Sequence, residues 1–249
     1  MIKPFLVAVQ FLTRLPVSLS LPPDEKTVGY SLPFYPLIGL IIGALLIALG
    51  WLLRDAPPLL AAALLLTGWT LLTGGLHLDG LADSADAWVG GMGDAKKTLL
   101  IMKDPNCGPA GVAAIMLVML LKFAALHSLF IAQEWIALLC ALVLARTLIL
   151  LLFLTTPYVR SHGLGTSLTM HQPRKLNMVI VTTIPLLMLP MAGLNYFWLP
   201  LAAIVPFLLL RLMMLRRIHG TTGDTAGALI EVTETSVLLA AVLLIKINH

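Results

Sequence analysis

The chain has 249 residues, of which 59% are hydrophobic and only 11% charged, and its formal net charge is +4. A soluble domain is about 45–50% apolar and about 25% charged, and one of this size leaves roughly a quarter of its unfolded surface in water. With a mean hydropathy of +0.97, the composition excludes a disordered chain, a disulfide scaffold and a soluble enzyme, and leaves an integral membrane protein read as a single transmembrane domain over residues 1–249.

In chain order, residues 4–17 are apolar but too short to cross a bilayer. Gln10 interrupts the run, Arg14 follows it and no small-residue cleavage site appears. The stretch is therefore read as an interfacial helix and not a signal peptide. Seven later segments approach the ~20 apolar residues that a membrane helix needs: 34–53, 57–76, 111–132, 135–155, 177–194, 198–215 and 226–247. Lys122 falls inside the third, Arg146 inside the fourth, and acids interrupt the first half of the seventh. Trp51, Trp135, Asn195, Tyr196 and Trp198 stand near span ends, where amphipathic rings favour the interface. The fold class predicted is all-α, a polytopic membrane helix bundle of about seven transmembrane helices plus the N-terminal interfacial helix. Cys107 and Cys140 have no metal-ligand spacing and read as free thiols.

Lys and Arg set the orientation. Lys3, Arg14, Lys26, Lys96, Lys97, Lys103, Arg160, Arg174, Lys175, Arg211, Arg216 and Arg217 fall at the N-terminus and in the even-numbered loops or their flanks, whereas Arg54 and Lys246 fall on the other side. The positive-inside rule then predicts that the N-terminus and the even loops are cytoplasmic.

Two Gly-, Thr- and acid-rich segments break the apolar pattern on that same side. The first contains His77, Asp79, Asp83 and Asp86. The aspartate spacing of i, i+4, i+7 puts three carboxylates on one helical face, where like charges repel and where proximity to a bilayer raises the cost. Acids number only 12 in the whole chain, so three on one stripe call for a compensating cation. Mg²⁺ or Mn²⁺ suits them, since hard cations take carboxylate oxygens and leave positions for phosphate. Asp104, beside Lys103 and before Gly108 and Gly111, reads equally as a further ligand or as a turn residue; Lys103 reads as a phosphate partner or a membrane-side anchor.

The second segment runs from His219 to Glu234. Asp224, Gly227 and Glu231 share a helical face there, and small residues beside acids allow close approach of a backbone or ligand. Asp224 also reads as a helix N-cap. Glu231, about two turns into an apolar run, does not. Lys122 and Arg146 are left to neutralise these acids, to bind a phosphate or to snorkel. The remaining histidines form no ligand pattern. Carboxylates, a divalent metal and flanking cations at a membrane face suit phosphoryl transfer. A cation-coupled transporter is the rival class, although its expected repeat symmetry is not evident.

At these residues the sequence resembles the cobalamin synthase (CobS) family. The resemblance is carried by Arg14-Leu-Pro16, Tyr35-Pro-Leu-Ile-Gly39, the string from Gly74 through His77, Asp79 and Asp83 to Asp86, Ile101-Met-Lys-Asp104 with Gly108 and Gly111, Lys122, Arg146, Gly163-Leu-Gly165, and Thr222-Gly-Asp224-Thr with Gly227 and Glu231. It implies that adenosylcobinamide-GDP and α-ribazole, or its 5′-phosphate, are joined to give adenosylcobalamin, or its phosphate, and GMP, with Mg²⁺ as cofactor. Carried over, Asp79, Asp83, Asp86, Asp104, Asp224 and Glu231 are the candidate metal ligands. Asp86, His77, Lys103 and Arg146 are the candidate catalytic residues, and Lys122 and Arg14 the candidates for binding. The implied partners are these small-molecule substrates and the lipid bilayer of the cell inner membrane, with no nucleic acid and with homo-oligomerisation left open. Two positions depart from the family pattern: Ala87 stands where glycine is usual, and Leu99 and Leu100 stand where an acid is often found. A phospholipid-synthase type of CDP-alcohol phosphotransferase is the nearest alternative, but the arginine its motif requires after Asp79-Gly80 is missing.

Overall fold

The computed structural model describes residues 2–19, 22–161, 163–192 and 198–244, with the side chains of 189–192 and 244 excepted. The described residues are helical throughout, apart from loops and one isolated β-bridge. Asn195, Tyr196, Lys246, His162 and His249 lie outside the described residues.

Twelve α-helices follow in order among the described residues. α1 (Ile2–Leu12) is an eleven-residue apolar helix, too short to cross a bilayer at ~1.5 Å per residue. α2 (Glu25–Gly29) leads through a 3-10 turn into α3 (Tyr35–Leu52). α4 (Pro58–Thr73) ends at Gly74 and Gly75, and α5 (Leu76–Gly90) leaves at 87° to it. α6 (Ala95–Ile101) is short; α7 (Pro109–Ala132) and α8 (Trp135–Thr155) are long and apolar. α9 (Leu164–His171) is again short, and α10 (Arg174–Ala192), α11 (Leu199–Ile218) and α12 (Gly223–Leu244) complete the bundle.

The seven predicted spans overlap α3, α4, α7, α8, α10, α11 and α12, with residues 193–194 and 245–247 outside the described residues, but α10 and α4 alone do not reach the length and hydropathy of a span. Among the described residues five meet the length and hydropathy needed to cross a membrane: Glu25–Leu52, Pro109–Ala132, Trp135–Thr155, Leu199–Ile218 and Gly223–Leu243. The bent pair α4–α5 makes a sixth apolar unit. The protein is a multi-pass membrane bundle. α8 forms its axis, with Leu138, Leu142, Ile149 and Leu150 at 2% exposure or less, whereas α7 and α11 turn rows of Leu and Met outward, as lipid-facing helices should.

α4 stops three residues short of the end of the predicted span 57–76, at a bend into α5. Gly74 and Gly75 both have left-handed backbone, φ +66° and +70°, a conformation that costs glycine nothing and strains other residues. With α4 across the bilayer, a helix at 87° to it runs in the membrane plane, so α5 carries its acids along the surface and lies outside the spanning segments. α5 then packs on α12 almost backbone to backbone. A Cβ at Gly80 would sit 2.7 Å from the Asp224 carbonyl oxygen, and one at Gly227 would sit 3.3 Å from His77 Cα. Small residues on both helices make this approach available.

Gly80→Val is therefore expected to wedge α5 off α12 at about 1–3 kcal/mol, the usual range for overpacking. Gly227→Ala should do less. The thermal midpoints of the two variants in detergent are the measurement, and an unchanged midpoint for Gly80→Val would contradict this helix contact.

Candidate active site

The site is built where α5, the loop over 157–161 and the first turn of α12 meet. The start of α12 is fixed by threonines. Thr225 N–H donates to Thr222 Oγ1 at 3.2 Å, and Thr222 N–H donates to Thr225 Oγ1 at 2.9 Å, so orphan amides at the helix start are satisfied without an acid. Asp224 is thus not the N-cap. Just before the helix, Thr221 pairs with Tyr158 in a parallel bridge, with Val159 N–H donating to Thr221 O at 2.9 Å and Thr221 N–H to Pro157 O at 2.8 Å. The bridge draws the 157–160 loop to α12 and brings Arg160 Nη2 2.5 Å from Asp224 Oδ2.

Asp79, Asp83 and Asp86 all lie on α5, as their spacing predicts. Asp79 is exposed, while Asp83 and Asp86 are half-buried. Burial first, then the charges of Asp79 and Asp224, push Asp83 up to about 6. The close approach of α5 to α12 at Gly80 and Asp224 is what brings these carboxylates near one another. Their mouth opens onto a cavity of about 280 Å³ whose lining includes Asp79, His77, Tyr158, Arg160 and Asp224. His77 is 4% exposed, and neither ring nitrogen has a partner among the described residues. Burial, reinforced by the Arg146 and Lys122 charges, holds its pKa well below the usual histidine range.

The other predicted acids are engaged elsewhere. Asp86 accepts from Gly108 N–H at 2.6 Å and from Gly111 N–H at 2.9 Å. It sits at the N-terminus of α7, where unsatisfied amides favour an anion, and a Cβ at Gly108 or Gly111 would lie only 2.5 Å from its oxygens. Its structure is that of a helix cap, not of a free catalytic carboxylate. Asp104 closes a turn, accepting from Asn106 N–H at 2.9 Å and from its side-chain amide at 2.7 Å, and is exposed. Lys103 is exposed and, among the described residues, makes no side-chain bond. The side chain of Arg14 lies against Gly74, and its backbone N–H donates to Leu72 O at 2.7 Å.

Glu231, expected as a ligand, and Lys122 and Arg146, expected to face phosphates, instead face one another. Lys122 Nζ is 2.7 Å from Glu231 and 2.5 Å from Glu234, and Arg146 is paired with Glu234. The four side chains are at most 6% exposed. Lys122 also lies over the Trp69 ring, 4.3 Å from its centroid. Neutralisation was one of the readings open for these cations, and it is the one the bundle adopts. Glu231 and Glu234 lie about 12 and 16 Å along α12, so the helix runs through both acids without a break because its neighbours carry the opposite charge.

Among the described residues no group of three or more His, Cys, Asp and Glu is placed to hold a metal ion, and the predicted six-acid set is not assembled. Asp79 and Asp83, one turn apart, with Asp224 opposite, are what remain. That donor set suits Mg²⁺, which is commonly held by one or two carboxylates and completed by substrate phosphates. Arg160 and Tyr158 are the site residues that the sequence reasoning missed. Arg160 was counted among the membrane-side cations, and 64 residues separate it from Asp224; its place between a span and Gly163-Leu-Gly165 was the only available signal.

The fold and this mouth define a polytopic helical membrane protein with a carboxylate–arginine site at one end of its bundle. The family profile described as cobalamin-5-phosphate synthase matches residues 4–242. Proteins named adenosylcobinamide-GDP ribazoletransferase are similar along nearly the whole length. That of Pseudomonas fluorescens Pf-5 is 52% identical over 240 residues, 96% of this chain and 99% of its own. That of Pseudomonas syringae pv. syringae B728a is 50% identical over 241 residues, 97% and 99%. That of Acinetobacter baumannii ACICU is 48% identical over 243 residues, 96% of each. No solved structure matches. The chain belongs to the cobalamin-5-phosphate synthase family, and it is an enzyme.

Removing one carboxylate from the buried charge network leaves two cations sharing the other. Glu234→Ala is expected to cost about 3–5 kcal/mol, measured by unfolding in detergent at neutral pH. A loss below about 1 kcal/mol would show that the four charges are not coupled.

Proposed function

We propose that this protein transfers the nucleotide-activated corrinoid of adenosylcobinamide-GDP to α-ribazole, or to its 5′-phosphate, releasing GMP. The observation that supports it is the meeting of Asp79, Asp224 and Arg160 at the mouth of a cavity, with Asp83 one turn beyond Asp79 on α5, in a chain similar along its length to ribazoletransferases. A ribazole hydroxyl oxygen bonds to the cobinamide-side phosphorus, the P–O bond to the GMP phosphate breaks, and GMP leaves with that electron pair. The product is adenosylcobalamin or its phosphate.

The chain's own groups divide this work. Arg160 is held by Asp224 before substrate arrives. A diphosphate offers its guanidinium a geometry as good as the carboxylate's, since Arg forks match both. Transfer of Arg160 to the diphosphate frees Asp224, on the cavity wall, to take the hydroxyl proton. Asp79 and Asp83 are the residues that would hold Mg²⁺ or Mn²⁺, which when bound supplies charge neutralisation at the diphosphate and the leaving phosphate. Asp86 serves by fixing α5 to α7. The asymmetry of Lys and Arg supports a cytoplasmic N-terminus and a cytoplasmic mouth in the cell inner membrane, where soluble nucleotides reach it.

The test is GMP release by the purified protein given adenosylcobinamide-GDP, α-ribazole and Mg²⁺. Asp83→Asn is expected to abolish turnover while leaving the protein folded and extractable, and chelation of the divalent ion should abolish it in the wild type. Ion flux in liposomes without GMP release would overturn the enzyme reading. Arg160→Ala is expected to lower kcat on the order of 10²-fold, the scale of losing one charge-stabilising donor, and Arg160→Lys should not restore it because an ammonium has no fork. Full activity in Arg160→Ala would remove the arginine from the mechanism.

A further inference from the structure

The cavity behind the mouth has a lining that divides by chemistry. Asp79, Arg160 and Asp224 supply charge on the side of α5, the loop over 157–161 and α12. Phe11 and Tyr35, from α1 and α3, stack with centroids 6.3 Å apart and planes at 29°, and Phe153 meets Tyr158 at 6.2 Å and 56°. All four rings line the same cavity. Paired aromatic walls present ring faces and edges to a flat guest, which gains by stacking beyond the area it buries.

Size decides between the two substrates. Pockets for drug-sized ligands run from about 300 to 1,000 Å³. At about 280 Å³, this one is nearer the size of a two-ring aromatic base with its sugar than that of a macrocycle of corrin dimensions. His77 adds an independent observation. A buried imidazole with no partner on either nitrogen is costly to keep, and this one lines the cavity. A ligand bearing hydroxyls and a ring nitrogen supplies what it lacks.

We propose that this cavity is the seat of the nucleoside acceptor: the benzimidazole of α-ribazole lies among Phe11, Tyr35, Phe153 and Tyr158, its ribose points to His77 and Asp224, and the corrin ring stays outside, offering only its diphosphate to Arg160. The assignment rests on the transferase reading above and adds which substrate goes inside. It makes the apolar cavity wall, and not the acidic mouth, the determinant of which base is accepted.

Two variants of the full-length protein in detergent test it. Ala226 lines the cavity from the first turn of α12, and Ala226→Leu fills part of it. It is expected to weaken binding of α-ribazole, measured alone by calorimetry, at least tenfold, and to change the affinity for adenosylcobinamide-GDP less than twofold. Leu168 lines the cavity from α9, and Leu168→Ala enlarges it. It is expected to raise the kcat/KM ratio of a bulkier naphthimidazole riboside over α-ribazole at least tenfold. Melting of each variant reports its folding, and the Leu168→Ala ratio stands by itself if Ala226→Leu fails to fold. Equal weakening of both substrates by Ala226→Leu, loss of corrinoid affinity alone, or an unchanged base preference in Leu168→Ala would overturn the assignment. Absence of GMP release by the wild type with α-ribazole binding intact would instead overturn the transferase reading and leave the binding site standing.

Discussion

Two acids and two cations buried side by side decide how the bundle is put together. Charges of this kind cost several kcal/mol each to remove from water, and mutual attraction offsets the loss only when geometry is good. Glu231 and Glu234 satisfy that condition because α12 runs against both α7, with Lys122, and α8, with Arg146. A hydrophobic seam tolerates rotation and sliding of a helix; a seam with two carboxylates does not, since a shift of one turn would face an acid with leucine. The network therefore sets the depth and rotation of α12, and with them the position of Asp224 at its start.

The mouth inherits its geometry from that placement. Gly80 and Gly227 bring α5 against α12, the Tyr158–Thr221 bridge delivers Arg160, and the Thr222–Thr225 cap leaves the Asp224 carboxylate to the arginine. Asp86 holds the far end of α5 to the start of α7. The acids thus divide into those that build and those that face the cavity, although all sit in similar motifs.

Much of the fold was legible because lipid imposes a simple pattern: long apolar runs, charges displaced to the loops. The short helices α2, α6 and α9 were not legible, since each lies in a mixed loop too brief for a periodic signal. The elbow at Gly74–Gly75 falls at the end of a predicted span, and two adjacent glycines mark it, but the sharpness of its angle is set by packing. At the site, the i, i+4, i+7 spacing correctly placed Asp79, Asp83 and Asp86 on one helix. It could not tell that Asp86 would be taken by amides 22 and 25 residues away, nor that Lys122 would find Glu231 across 109 residues. Such partners are set by tertiary packing, and local spacing carries no record of it.

The seam at α12 also bears on biogenesis. An isolated helix with two carboxylates near its middle enters a bilayer reluctantly, whereas α7 and α8 are synthesised earlier and each carries one cation. Integration of α12 is thereby tied to the prior presence of its neighbours, so that ribosomal order, and not hydrophobicity alone, ensures that the helix bearing Asp224 is threaded into a scaffold already able to receive it.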